Sequence, residues 1–111
     1  MHLQQLRAFC EVAAELSFTS AARNLNYAQS SVTAQIQNLE DTVGASLFDR
    51  SGRRVALTEA GRRLLPHAER IITAIEEARL DIAALHARNF SGFPIVPVRQ
   101  RAQRIAFRGV A

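Results

Sequence analysis

The chain has 111 residues, 48% of them hydrophobic, enough for one small folded domain with a core and a short appendage. No stretch approaches the ~18 uninterrupted apolar residues of a membrane span, and Met1-His2-Leu3-Gln4-Gln5-Leu6 lacks the pattern of a secretory leader. A cytoplasmic location is expected, and the single cysteine, Cys10, excludes an internal disulfide. The net charge of +4 is unevenly placed: residues 1–88 balance ten arginines against all 10 acids. The excess falls in Arg99, Arg101, Arg104 and Arg108. One local run is basic in its own right, Arg50, Arg53, Arg54, Arg62 and Arg63 against Glu59 alone.

Leu3, Leu6, Phe9, Ala13 and Leu16 recur at helical spacing and predict a first helix over about 3–16. Ser17-Phe18-Thr19 ends it, with Thr19 expected to cap a short second helix through Ala21, Ala22 and Leu25. Asn26-Tyr27-Ala28 reads as a tight turn, since Asn tolerates left-handed backbone. A third helix is expected over about 29–43, stopping at Gly44. Leu47-Phe48 and Val55-Ala56-Leu57 are short apolar stretches around the polar turn 49–54, the pattern of a small β-hairpin.

Thr58 then caps a long helix with Glu59 in its first turn, reaching Arg88 and spanning about 45 Å at the helical rise. Leu64, Ala68, Ile71, Ile75, Ala78, Ile82 and Leu85 alternate steps of four and three, the spacing of a coiled-coil seam. Pro66 removes one backbone bond and predicts a kink near the start. From Asn89 onward, breakers and arginines replace any helical period. The expected organisation is therefore a body over 1–57, a long helix over 58–88 and an arginine-rich, poorly ordered tail over 89–111.

On the third helix Val32, Ile36, Leu39 and Val43 share one arc, while Ser30, Ala34, Gln37 and Asn38 share the other, flanked by Ser31 and Thr33. One face is apolar and the other slim, polar and nearly uncharged. A solvated surface has that composition, and so does a helix that enters a DNA major groove, where small residues allow close approach and amides pair with base edges. Gln29, at the helix start, can reach base edges or phosphate. A short Ala-Ala helix, a three-residue turn and a second amphipathic helix favour the groove-reading alternative, because they make a helix-turn-helix. The arginine-rich hairpin makes it the winged variety. The fold expected is mainly α: three helices plus a β-hairpin wing, followed by the long helix.

From Leu3 to about Leu85 the sequence resembles the N-terminal region of LysR-type transcription regulators. The stretches that carry the likeness are Leu6-Arg7-Ala8-Phe9, Ser17 through Leu25, Gln29 through Gln35-Ile36 to Leu39-Glu40, Leu47-Phe48-Asp49-Arg50, and Val55 through Gly61. Each is weak alone; all five in order at this spacing are specific. The resemblance implies a homodimer that binds double-stranded DNA at an interrupted inverted repeat, recognition helices in successive major grooves and wings on the flanking minor grooves. Three positions depart from the family pattern. Ala28-Gln29-Ser30 stands where Ser-Gln-Pro is usual, removing a capping hydroxyl worth roughly 1 kcal/mol unless Ser30 or Ser31 replaces it. Ala34 and Gln37 stand where basic residues are frequent, which should flatten the salt dependence of binding. Nothing after Asn89 resembles the family's effector-binding domain, so no small-molecule effector is expected to act on this chain.

The candidate DNA-contacting residues are thus Thr19, Gln29, Ser30, Ser31, Thr33, Ala34, Gln37 and Asn38 with Arg50, Arg53 and Arg54 of the wing. For the arginines the competing assignment is a salt bridge to Asp49 or Glu59; for Thr19 it is capping alone. The Leu64–Leu85 line is assigned to a dimer seam, the alternative being a core stripe within one chain. His2, His67 and His86 lack metal-ligand spacing, and no nucleophile–base set or phosphate loop is present, so neither an enzyme nor a metal or cofactor protein is expected. A second functional expectation is a dimerisation module that pairs with a full-length LysR-type relative and modulates it.

Overall fold

The computed structural model describes residues 1–89; the tail expected beyond them, with its four arginines, lies outside the described residues. In chain order the elements are α1 (Leu3–Glu15), α2 (Phe18–Leu25), α3 (Gln29–Val43), β1 (Phe48–Asp49), β2 (Ala56–Leu57) and α4 (Glu59–Asn89). This is the expected mainly α architecture, three helices and a small antiparallel hairpin before one long helix. The chain divides into two compact units, 1–70 and 71–111, with the boundary inside α4.

The first helix begins with a buried Gln5 whose side chain accepts the His2 N–H at 3.1 Å. It ends at Leu16, which takes left-handed backbone (φ 50°) and returns its N–H to the Val12 carbonyl. Thr19 does not cap α2, as its position had suggested. Ser17 is extended (φ −154°) and its Oγ accepts the Ser20 N–H at 3.1 Å, so the helix opens earlier than expected, at Phe18, and Thr19 already lies inside it.

Asn26 takes the left-handed conformation (φ 59°) foreseen for the turn, and the Tyr27 N–H closes it on the Ala22 carbonyl at 2.9 Å. α3 starts without any side-chain cap at Ala28, so neither Ser30 nor Ser31 replaces the missing hydroxyl. Gly44 terminates α3 at φ 74°, where a side chain would be strained.

The hairpin is narrower than its apolar stretches: only Phe48↔Leu57 and Asp49↔Ala56 pair. Two pairs make a marginal ribbon on their own, and packing supplies the rest. Phe48 lies 5.5 Å from the Phe9 ring and 5.7 Å from the Phe18 ring, the latter edge-on at 72°. Around this trio the first unit buries Leu6, Ala8 and Val12 of α1, Ala21 and Ala22 of α2, Val32, Ile36 and Leu39 of α3, and Leu47. Cys10, at the edge of this core, is half-buried, and burial, aided by the Glu69 and Glu11 carboxylates, pushes its thiol up to about 11.

Thr58 caps α4 as expected, its Oγ1 accepting the Gly61 N–H at 3.1 Å. The helix continues unbroken through Pro66, which has no N–H to offer Arg62. No described helix is long and apolar enough to cross a membrane. In the second unit Glu76 is buried and holds Arg79 at 3.2 Å. Gly61, in the first turn, has no room for a side chain: a Cβ there would collide with the Leu47 carbonyl and lie 2.7 Å from Leu57 Cδ2. Gly61→Ala should therefore lower stability by about 1–3 kcal/mol or more, read as a fall of several degrees in thermal midpoint. An unchanged melt would mean that α4 does not start against the hairpin.

Candidate nucleic-acid interface

The site is built outward from α3. Val32, Ile36 and Leu39 are completely buried, which fixes the rotation of the helix and turns its opposite face out. Ser30, Ser31, Ala34, Gln37 and Asn38 are exposed and Thr33 is half-buried, so the polar arc expected to read DNA is open to solvent. None of these six residues carries charge. At the helix start the backbone N–H groups of Gln29 and Ser30 have no partner among the described residues, because the first intrahelical bonds run from Ser31 and Val32 back to Ala28.

Thr19, exposed inside the first turn of α2, donates its hydroxyl to Gln29 Oε1 at 3.1 Å. The structure thus brings together two candidates that are ten positions apart. Tyr27 is partly exposed beside them, its hydroxyl accepting from Gln4 Nε2 at 3.3 Å.

The wing arginines divide into two kinds. Arg50 lies flat over the Phe18 ring, its Cζ 4.0 Å from the ring centre, so its stem belongs to the aromatic cluster while its guanidinium stays exposed. Arg53 and Arg54 are exposed and form no ion pair among the described residues. Both carboxylates that were their alternative partners are engaged elsewhere. The Ser51 hydroxyl and N–H bond to Asp49 at 2.6 and 2.9 Å and hold its carboxyl below the usual range. Glu59 takes Arg62 at 2.9 Å and Arg63 at 3.0 Å, which likewise lower its pKa. The positive charge of the turn is left available.

Two residues that position the wing were not singled out as functional from the sequence. Phe18 is the platform for Arg50, thirty-two positions away, and no local pattern announces such a pair. Glu40 accepts the Leu47 N–H at 2.8 Å while its own carbonyl receives the Gly44 N–H at 2.8 Å, so one residue of α3 sets where the chain leaves the helix and enters the hairpin.

On α4 the expected seam residues are unevenly placed. Ile71, Ile82 and Leu85 are well exposed for apolar side chains, at 41%, 63% and 50%, and Ala78 is exposed too. Leu64 and Ile75 are half-buried. Ala68 has no accessible surface within its own chain, so it belongs to the core and has nothing to offer a second molecule. Among the described residues no cluster of His, Cys, Asp or Glu is arranged to hold a metal ion.

A helix-turn-helix with an exposed neutral reading face and a basic hairpin is the winged type of DNA-binding fold. The family model for bacterial regulatory helix-turn-helix proteins of the lysR family matches residues 3–62, and the chain belongs to that family. The family is one of transcription regulators, not of enzymes. The chain is 49% identical over 80 residues to the uncharacterized HTH-type transcriptional regulator YwqM of Bacillus subtilis (strain 168), covering 72% of this chain and 27% of that protein. It is 45% identical over 84 residues to a probable RuBisCO transcriptional regulator of Cyanidioschyzon merolae, covering 76% of this chain and 28% of that one. It thus spans about a quarter of the length of these relatives. Among solved structures, the BenM_DBD/catB site 1 DNA complex is similar at 33% identity and a TM-score of 0.75, over 78% of this chain and 98% of that one. The CbnR_DBD–DNA complex is similar at 34% identity and a TM-score of 0.71, over 78% and 99%.

Removing the Glu40 carboxylate should orphan the Leu47 N–H. Glu40→Ala is expected to lower stability by about 1–3 kcal/mol in denaturant titration, and Glu40→Gln, which keeps an oxygen in place, to recover most of it. Equal losses for the two variants would mean that charge, not the hydrogen bond, holds the hairpin.

Proposed function

We infer that the chain is a sequence-specific double-stranded DNA binder that acts as a homodimer in transcription regulation. The observation that carries this reading is the near-complete overlap with two domains solved on DNA, at 98% and 99% of their lengths, together with an outward α3 face free of charge. Slim residues at Ser30, Ala34 and Thr33 let the α3 backbone approach base edges, and Gln37 and Asn38 supply amides for them. Arg53 and Arg54, having no carboxylate partner, are free to meet phosphates or a narrow minor groove. Arg50 adds a charge fixed in direction by Phe18. The exposed Ile71, Ala78, Ile82 and Leu85, with Leu64 and Ile75, form the seam for a second copy, and two copies present their α3 helices to one side of an interrupted inverted repeat.

The two kinds of contact separate in titration. Arg53→Ala should weaken binding to specific and random duplexes alike and reduce the slope of log affinity against log salt by about 0.9. Thr33→Ala and Gln37→Ala should instead relax the preference at particular base pairs, by ~1–3 kcal/mol where a bidentate contact is lost. If the α3 variants lose equally on every sequence, that face does not read bases.

Pairing is tested by mass. The double variant Ile82→Asp, Leu85→Asp should sediment as a monomer where the parent chain sediments as a dimer, with its thermal transition for the 1–70 unit retained. A parent chain that is monomeric at tens of micromolar would exclude the homodimer.

A further inference from the structure

The Thr19–Gln29 contact does more than tie two helices together; it decides which end of an amide is free. A glutamine side chain is donor and acceptor at once, and when both ends are available it pairs with adenine, Nε2 donating to N7 while Oε1 accepts from N6. Here Oε1 already receives the Thr19 hydroxyl at 3.1 Å. The Gln29 Nε2 group has no partner among the described residues. The groups next to it, the Gln29 and Ser30 backbone N–H, are also unpartnered donors, and Ala28 brings no side-chain acceptor. This corner of the α3 face therefore offers hydrogens and little else.

Base edges answer such a corner differently. Guanine places two acceptors, O6 and N7, side by side in the major groove, matching the two hydrogens of one amide nitrogen. Adenine sets an N6 donor beside its N7, which opposes a donor-only partner unless the amide oxygen can turn to meet it. The geometry points to Gln29 as a specificity-determining residue that selects guanine over adenine, with Thr19 as the positioning residue that sets the polarity of its amide. The inference rests on the DNA-binding reading above and names the chemistry of one contact within it.

The test is selection of bound sequences from a random duplex pool, with the full chain, Thr19→Ser and Thr19→Val run in parallel. Both residues are exposed, and matched thermal melts confirm that each variant is folded. The parent and Thr19→Ser should enrich guanine at one position per half-site. Thr19→Val, which releases Oε1, should accept adenine there as well and leave other positions unchanged. Replacing that guanine by 7-deazaguanine should cost the parent chain roughly tenfold in affinity.

A Thr19→Val profile identical to the parent's overturns the proposal, as does enrichment of adenine by the parent at the position that Gln29→Ala alone disturbs. Loss on every sequence alike, mimicked by one neutral methylphosphonate, would assign Gln29 to a phosphate oxygen and also overturn it. A parent chain that enriches nothing strikes the DNA-binding reading itself, a different result from any of these.

Discussion

The arrangement depends on one aromatic contact, Phe48 seated between Phe9 and Phe18. A hairpin of two residue pairs has too few hydrogen bonds to persist alone. By inserting the inward residue of β1 between a ring of α1 and a ring of α2, the chain makes the wing an extension of the helical core. The same Phe18 then carries Arg50 on its outer side. One ring thus joins core, second helix and wing, and the direction of a surface cation follows from the packing of a buried cluster.

The connections on either side of the hairpin are similarly shared. Glu40 holds the chain where it leaves α3, and the Leu47 carbonyl receives the Thr58 N–H at 3.0 Å before α4 begins. Gly61 lets the first turn of α4 press against that same carbonyl. Helix, hairpin and long helix are thereby joined around Leu47, a residue with almost no exposure. None of these joints involves a charged pair that salt would loosen, apart from the single carboxylate of Glu40.

Much of this was legible in the sequence because it is written in short-range periodicity. The apolar arcs of α1 and α3, the left-handed Asn26, the terminal Gly44 and the Thr58 cap are each decided within four or five residues. The outward face of α3 followed from the inward one. What was misread or missed depends on partners far along the chain. Thr19 looked like a cap because capping is local; its actual bond is to Gln29, and Ser17 has the cap. Arg50 was balanced between DNA and an internal bridge, and its stacking on Phe18 is invisible to any window. Ala68 fits the seam by spacing, yet is enclosed by its own unit, since periodicity identifies a face but not which neighbour reaches it first.

The lack of charge on the outer face of α3 has a consequence for how the molecule would divide its labour. A surface of hydroxyls, methyls and amides projects almost no field into solution, so it can distinguish partners only on touching them. The unpaired arginines of the hairpin act at a distance but cannot tell one sequence from another. Capture and discrimination are assigned to separate elements, and because Phe48 and Glu40 fix those elements to one core, the vocabulary of the helix can drift without altering the pull that delivers it.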